Sequence, residues 1–254
     1  MKLEDLLSFQ CAPGVPCFNE CCRDVTIFLG PYDVLRVRQA LGLKAQDFID
    51  RYTAVLGTDR LIPLVALRMN EDDEKRCHFV THKGCSIYSH RPWACRMFPL
   101  DVSTDGKGFR TIIDEHRCKG LLETVTRRVQ DYLNDQGAPK YQVMDDLMGE
   151  LVNHPRFREL EVENESVKKM IYMALYDLDA FRKFIFETSF LKKFKLDDKR
   201  VKRMQRDDEE LLRFGFEWLA FGLLGKKSLA IHPEAAEEHR ARHPASGDDQ
   251  GGVK

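Results

Sequence analysis

The sequence predicts an α+β chain: a small, irregular, cysteine-rich metal-binding module with a helical insert and a short β-hairpin, followed by a mainly α-helical C-terminal region. Three observations lead there. All eight cysteines lie between Cys11 and Cys118, and none follows. Beyond Cys118 the apolar residues recur at helical spacing almost throughout. Between two short β-prone runs sits a glycine-rich turn, Asp105-Gly106-Lys107-Gly108, which is hairpin chemistry. The expected boundaries are 1–120 for a cysteine-cluster metal-binding domain, 121–225 for an α-helical domain and 226–254 for a disordered tail.

Taken in order, a first helix opens at Pro31, which suits a first helical position, and closes at Gly42, which suits a left-handed stop. A second runs from Ala45 to Leu56 with Phe48, Ile49, Tyr52 and Leu56 on one face. Leu61 to Met69, interrupted by Pro63, reads as a strand near an edge. Cys77 to Cys95 reads as irregular loops pinned by metal, with a helical turn begun at Pro92, and Met97–Val102 pairs with Phe109–Ile113 in the hairpin. Leu121 to Leu133 forms one helical stripe, and Val143, Leu147, Leu151 and Val152 form another, with Pro139 and Pro155 at the turns. Ser166 is placed as the cap of a helix reaching Ile185, and a last helix spans Asp198 to Leu224. The phenylalanines from Phe181 to Phe194 read as core, and the mixed charges of Asp197–Glu210 as a solvated face laced with ion pairs.

Charge and hydropathy remove several function classes. Forty basic residues against 41 acidic ones give a net charge of −1, so nothing draws a polyanion, and no nucleic-acid role is expected. The longest apolar run, Leu211–Leu224, holds Arg213 and Glu217 and reads as a buried amphipathic helix, so no membrane role is expected either. Met1–Gln10 carries Glu4 and Asp5 and no small-residue cleavage site before Cys11, which predicts a chain kept in the reducing cytoplasm. There, clustered cysteines are metal ligands or reactive thiols more often than disulfides.

The thiols fall into two groups, Cys11-x5-Cys17-x3-Cys21-Cys22 and Cys77-x7-Cys85-x9-Cys95, with Cys118 after the hairpin. Neither spacing is a zinc-ribbon pair or a ferredoxin run. In an extended backbone the neighbours Cys21 and Cys22 point to opposite faces and serve two metals or two sides of one cluster; a tight turn instead brings both to one centre. Arg23, Arg76, Arg91, Arg96 and Arg117 stand beside cysteines, where their charge offsets thiolates, although an ordinary ion pair suits each alone. His78, His82, His90 and His116 lie in the same half and read as supporting or surface residues, given eight thiols. No Gly-rich phosphate loop, Ser-His-Asp set or HExxH signature is present, and no catalytic residue is assigned.

The double cysteine, the helical insert, and then Cys77…Cys85-x-Ile87-Tyr88-x-x-Arg91-Pro92-x-x-Cys95-Arg96-x-Phe98-Pro99 together resemble the YkgJ family of cysteine-cluster proteins, a zinc- or iron-chelating domain. The likeness spans roughly residues 11 to 118; the family's usual C-x2-C-x2-C-C is stretched here. It implies metal ligands among Cys11, Cys17, Cys21, Cys22, Cys77, Cys85, Cys95 and Cys118, the last seven as holders of a cofactor. The leading expectation is an iron–sulfur cluster, of the [4Fe–4S] kind, in a redox, electron-transfer or sensing role with a protein redox partner. The alternatives are a zinc-binding interaction module and a methyltransferase-like enzyme, since related domains occur in flagellin lysine methylases.

Overall fold

The computed structural model describes residues 1–57 and 60–234. Its short antiparallel strand pairs gather around the cysteines, and helices make up the rest, as the α+β reading expects. No helix among the described residues is long and apolar enough to cross a membrane.

The chain opens with β1 (Leu6–Ser8). It then passes through a 3₁₀ turn at Glu20–Cys22 into α1 (Pro31–Leu41), where the Asp33 carboxylate accepts the Gly30 N–H at 2.9 Å and Gly42 closes the helix at φ 64°. The second helix, α2 (Ala45–Tyr52), is shorter than expected. Thr53–Leu56 is instead β2, paired antiparallel with β3 (Leu64–Leu67). The apolar spacing up to Leu56 fits a helix, but the β-branched Thr53 and Val55 find cross-strand partners, and pairing overrides periodicity.

Between Cys77 and Cys95 the loops contain β4 (Val80–Thr81), β5 (Gly84–Cys85) and α3 (Trp93–Met97), the last begun behind Pro92 as expected. The hairpin is β6 (Leu100–Val102) with β7 (Phe109–Thr111), trimmed because Met97 belongs to α3. The stripe from Leu121 to Leu133 is not one helix. It divides into a 3₁₀ turn at Lys119–Leu122, β8 (Thr126–Arg128) and α4 (Val129–Asp135). β8 is captured by β1 in antiparallel register, an attachment local periodicity cannot show.

The remaining helices are α5 (Ala138–Val152), α6 (Pro155–Arg158), α7 (Glu165–Leu175), α8 (Leu178–Phe186), α9 (Asp198–Arg206) and α10 (Asp208–Leu224). In α5 the buried face is Tyr141, Met144 and Leu151, while Val143 is exposed. Both long helices expected from spacing are broken by acidic or amide caps. Asn164, not Ser166, accepts the Val167 N–H; Asp177 accepts that of Ala180, and Asp207 accepts those of Glu209 and Glu210. A side chain that satisfies the first amides of a new helix makes a restart cheaper than a continuous rod.

Two apolar cores result. The larger takes Val34, Leu35 and Val37 from α1 and Phe48 from α2, and packs them with Met144, Ile171, Phe181, Leu211 and Phe214 from the later helices. The smaller joins Leu7, Phe9, Met97, Leu100, Cys118, Val129 and Tyr132 beneath the first cysteines. Trp93 touches both. Side chains on both sides of residue 120 therefore share one interior, reinforced by Arg38–Asp208 at 2.6 Å and by Tyr32 over Tyr141 at 4.8 Å between ring centroids. The first residues of the expected tail are docked: Leu229 is buried, Ile231 bridges Phe194, and Lys226 pairs with Glu150. The rest of that tail, 235–254, lies outside the described residues.

Candidate metal centre

Four thiols come together where three loops meet. The Gln10 N–H donates to the Gly120 carbonyl at 3.0 Å, laying the Cys11 segment against the Cys118 segment. A Cβ at residue 120 would stand 2.5 Å from the Gln10 carbonyl oxygen, so only glycine permits that approach. The Lys119 N–H donates to Cys17 Sγ at 3.1 Å, and the 3₁₀ turn that follows Cys17 delivers Cys21. Cys11 feels the charge of Cys21, Cys17 and Cys118, and Cys118 feels Cys17 and Cys21.

A second group forms alongside. The Cys77 N–H donates to the Cys22 carbonyl at 2.8 Å, and the β4–β5 pair folds Cys85 back toward Cys77. Cys95 arrives on α3, whose first amide, Trp93 N–H, is held by Asp33 Oδ1 at 2.8 Å. Cys95 feels Cys77, Cys85 and Asp33. At the junction the Cys21 thiol interacts with that of Cys22. All eight cysteines are free of disulfides.

Burial and like charge favour the protonated form of Cys11, Cys21, Cys77, Cys85, Cys95 and Cys118. Desolvation pushes Cys11 up to about 11 and Cys95 up to about 12. It also raises Cys77, Cys85 and Cys118, while the neighbouring Cys22 thiol is the first cause of the rise at Cys21. Backbone amides oppose the effect: Asn19 at Cys11, Phe79 and Val80 at Cys77, Ile87 at Cys85, and Gly120 and Leu121 at Cys118. Amides at two or three residues beyond a cysteine stabilise its thiolate, so a metal that displaces the proton finds the donors for its ligand in place. Sulfur donors of this kind suit zinc or iron. Among the described residues no three His, Cys, Asp or Glu side chains converge tightly enough to enclose one ion; the thiols are neighbours rather than a closed tetrahedron.

The arginines divide by environment. Arg23 and Arg76 are ion-paired, with Glu20 at 2.5 Å and Glu74 at 2.5 Å respectively. Arg91 and Arg96 are buried, and among the described residues neither meets a carboxylate at ion-pair distance. Arg96 donates to the carbonyls of Arg91 at 3.0 Å, Gln136 at 2.5 Å and Ser89 at 2.7 Å, and to the Tyr141 hydroxyl at 3.0 Å. Arg91 donates to the Tyr88 carbonyl at 2.7 Å, the Gln136 side chain and the Cys95 carbonyl, and its guanidinium lies 3.7 Å from the Tyr88 ring centroid. Sequence reasoning missed Asp33, Gln136 and Tyr141, whose roles exist only through contacts made across the chain; buried Asp33 is itself pushed up to about 7 by desolvation. Of the histidines, His78, His82 and His116 are exposed, and His90 bonds the Ser89 hydroxyl at 2.9 Å.

Arg96→Ala is expected to lower stability by about 3 kcal/mol, because several buried carbonyls lose their donor at once. Thermal melting checks this, and Arg96→Lys should restore little, since an ammonium cannot reproduce the planar fork.

Residues 10–120 match the family model described as "CxxCxxCC: Putative zinc- or iron-chelating domain". No curated protein and no solved structure matches the chain.

Proposed function

We propose that this chain, whose residues 10–120 match the model of a zinc- or iron-chelating domain, is an iron–sulfur protein exchanging electrons with a protein partner. Metal binding follows the description of the matched domain; the kind of metal is our reading. The observation that carries it is the gathering of thiols from widely separated loops, residues 11–22, 77–95 and 118, against backbone amides that favour thiolates. A cluster with a large inorganic core takes cysteines from such scattered positions, and [4Fe–4S] uses four.

When bound, a cluster of this kind supplies one-electron chemistry. The chain's own residues set its surroundings. Trp93, Phe98 and Phe9 shield one side from water, and the guanidinium of Arg91 offsets negative charge near Cys95 and Cys85. Cys11 is exposed, which leaves one edge of the site open to a partner.

Protein purified without oxygen tests the reading. Iron and acid-labile sulfide in matched amounts, with visible absorption bleached by dithionite, are expected. A colourless preparation carrying zinc and no sulfide would overturn it in favour of a structural zinc module.

A further inference from the structure

The chain is nearly neutral overall, but its charge is unevenly placed. Between Leu191 and Arg206 eight basic residues stand against two acids, Asp197 and Asp198. The acids that follow are committed elsewhere. Asp207 caps α10, Asp208 pairs with Arg38 at 2.6 Å and with Arg182, Glu209 pairs with Lys140 at 2.8 Å, and Glu210 pairs with Arg200 at 3.1 Å. Lys192, Lys193, Lys195, Lys199, Lys202 and Arg206 are exposed, and among the described residues none of them meets a carboxylate at ion-pair distance. A stretch whose signs nearly cancel from Asp197 to Glu210 therefore presents a positive face once folded.

That face borders a groove of about 580 Å³. Leu191, Phe194, Leu196 and Val201 give it apolar lining, and the exposed Lys195, Asp198 and His232 complete it. Two backbone bonds fix its shape: the Lys195 N–H donates to the Ala230 carbonyl at 2.8 Å and the His232 N–H to the Lys193 carbonyl at 2.9 Å. A second cleft, of about 400 Å³, opens beside Gln205, with Lys44, Arg182 and Lys183 set against Asp179 and Glu187. Asp198, Val201 and Gln205 are spaced i, i+3 and i+7, so both clefts lie on one side of α9. A linear segment laid along that helix meets both.

We propose that the groove beside α9 docks an acidic segment of a partner protein, whose carboxylates meet the six free cations while one or two apolar side chains enter the groove. Charge complementarity selects the sign of the partner, and the recessed apolar lining selects its kind. A single-stranded nucleic acid wants exposed rings on which bases stack, whereas Phe194, the aromatic residue of the groove, is buried. An anionic bilayer wants apolar side chains that protrude, whereas Leu191, Leu196 and Val201 are only partly exposed. No cysteine takes part, so the inference goes beyond the iron–sulfur reading and stands without it.

Fluorescence anisotropy of the full chain with a short labelled peptide of glutamates and leucines provides the test. The peptide should bind, and replacing its leucines by serine at the same charge should weaken binding by about tenfold or more. Lys195→Glu combined with Lys202→Glu should cost a similar factor, while the equally charged control Lys107→Glu with Lys169→Glu, at exposed sites elsewhere, should change it by under about twofold. All four positions are exposed, and an unchanged melting temperature in each variant keeps the comparison free of unfolding. Absence of binding, equal binding of the serine peptide, or equal losses in the two double variants would overturn the proposal. Tighter binding of an oligothymidylate or of phosphatidylserine vesicles than of the leucine peptide would overturn it in favour of a nucleic acid or a membrane.

Discussion

Cys95→Ser is expected to lower the metal content of the chain and to lower its melting temperature by about 6–12 °C, corresponding to a loss of roughly 3 kcal/mol. The exchange of sulfur for oxygen is nearly isosteric and disturbs packing little. What it removes is a soft donor, and a serine hydroxyl does not replace a thiolate at neutral pH. Metal binding is folding free energy in small irregular regions, on the order of 10 kcal/mol or more for a complete zinc site, so forfeiting even part of it is large against a whole-domain stability of about 5–15 kcal/mol. The effect should be severe at this position because Cys95 rides on α3, a helix of one turn and a half held by Asp33 at its start and by Arg91 at the Cys95 carbonyl. The decisive comparison is with chelator-treated wild type. If the variant and the stripped wild type melt together, the loss is metal; if the variant still melts lower, Cys95 contributes packing instead.

Much of the cysteine-rich half is legible in the sequence because its signals are local. Pro31 and Gly42 bracket α1, Pro92 starts α3, and the Asp105–Gly108 turn closes the hairpin, each through the backbone dihedrals of the residue concerned. What sequence reasoning misplaces depends on distant partners. Thr53–Leu56 leaves its helix to pair with Leu64–Leu67, and Thr126–Arg128 leaves an apolar stripe to pair with Leu6–Ser8, over a hundred residues away. Capping at Asp177 and Asp207 is local and was open to reading, since Asp at a helix start is a standard signal, but continuous apolar spacing across each break conceals it. In the site, spacing identifies the thiols but not how they group. That grouping needs contacts such as Gln10 with Gly120 and Cys22 with Cys77. The uncharged partners of Arg91 and Arg96 are equally invisible, because Gln136 and Tyr141 come from beyond the cysteine motif altogether.

Phe181→Ala should destabilise the cysteine-bearing half together with the helical half, by about 3–5 kcal/mol. The ring is fully buried and stacks on Trp218 at 5.5 Å and Phe214 at 6.4 Å between centroids, far along the chain from any cysteine. Its loss leaves a cavity in the interior that also contains Val34, Leu35 and Phe48, and these come from the insert between the first and second cysteine groups. Were residues 1–120 an independent unit, such a cavity would be felt only beyond residue 120. The shared interior, the Arg38–Asp208 pair and the β1–β8 pairing argue that opening one half exposes the other. The chain's two tryptophans make the distinction measurable, because Trp93 stands two residues from Cys95 and Trp218 stacks on Phe181 itself. Single-tryptophan variants of the Phe181→Ala protein should report coincident transitions, with metal release at the same denaturant concentration. A Trp93 transition and metal release that stay at the wild-type midpoint, while Trp218 shifts, would show two separate folding units and defeat the account in which both halves share the larger core.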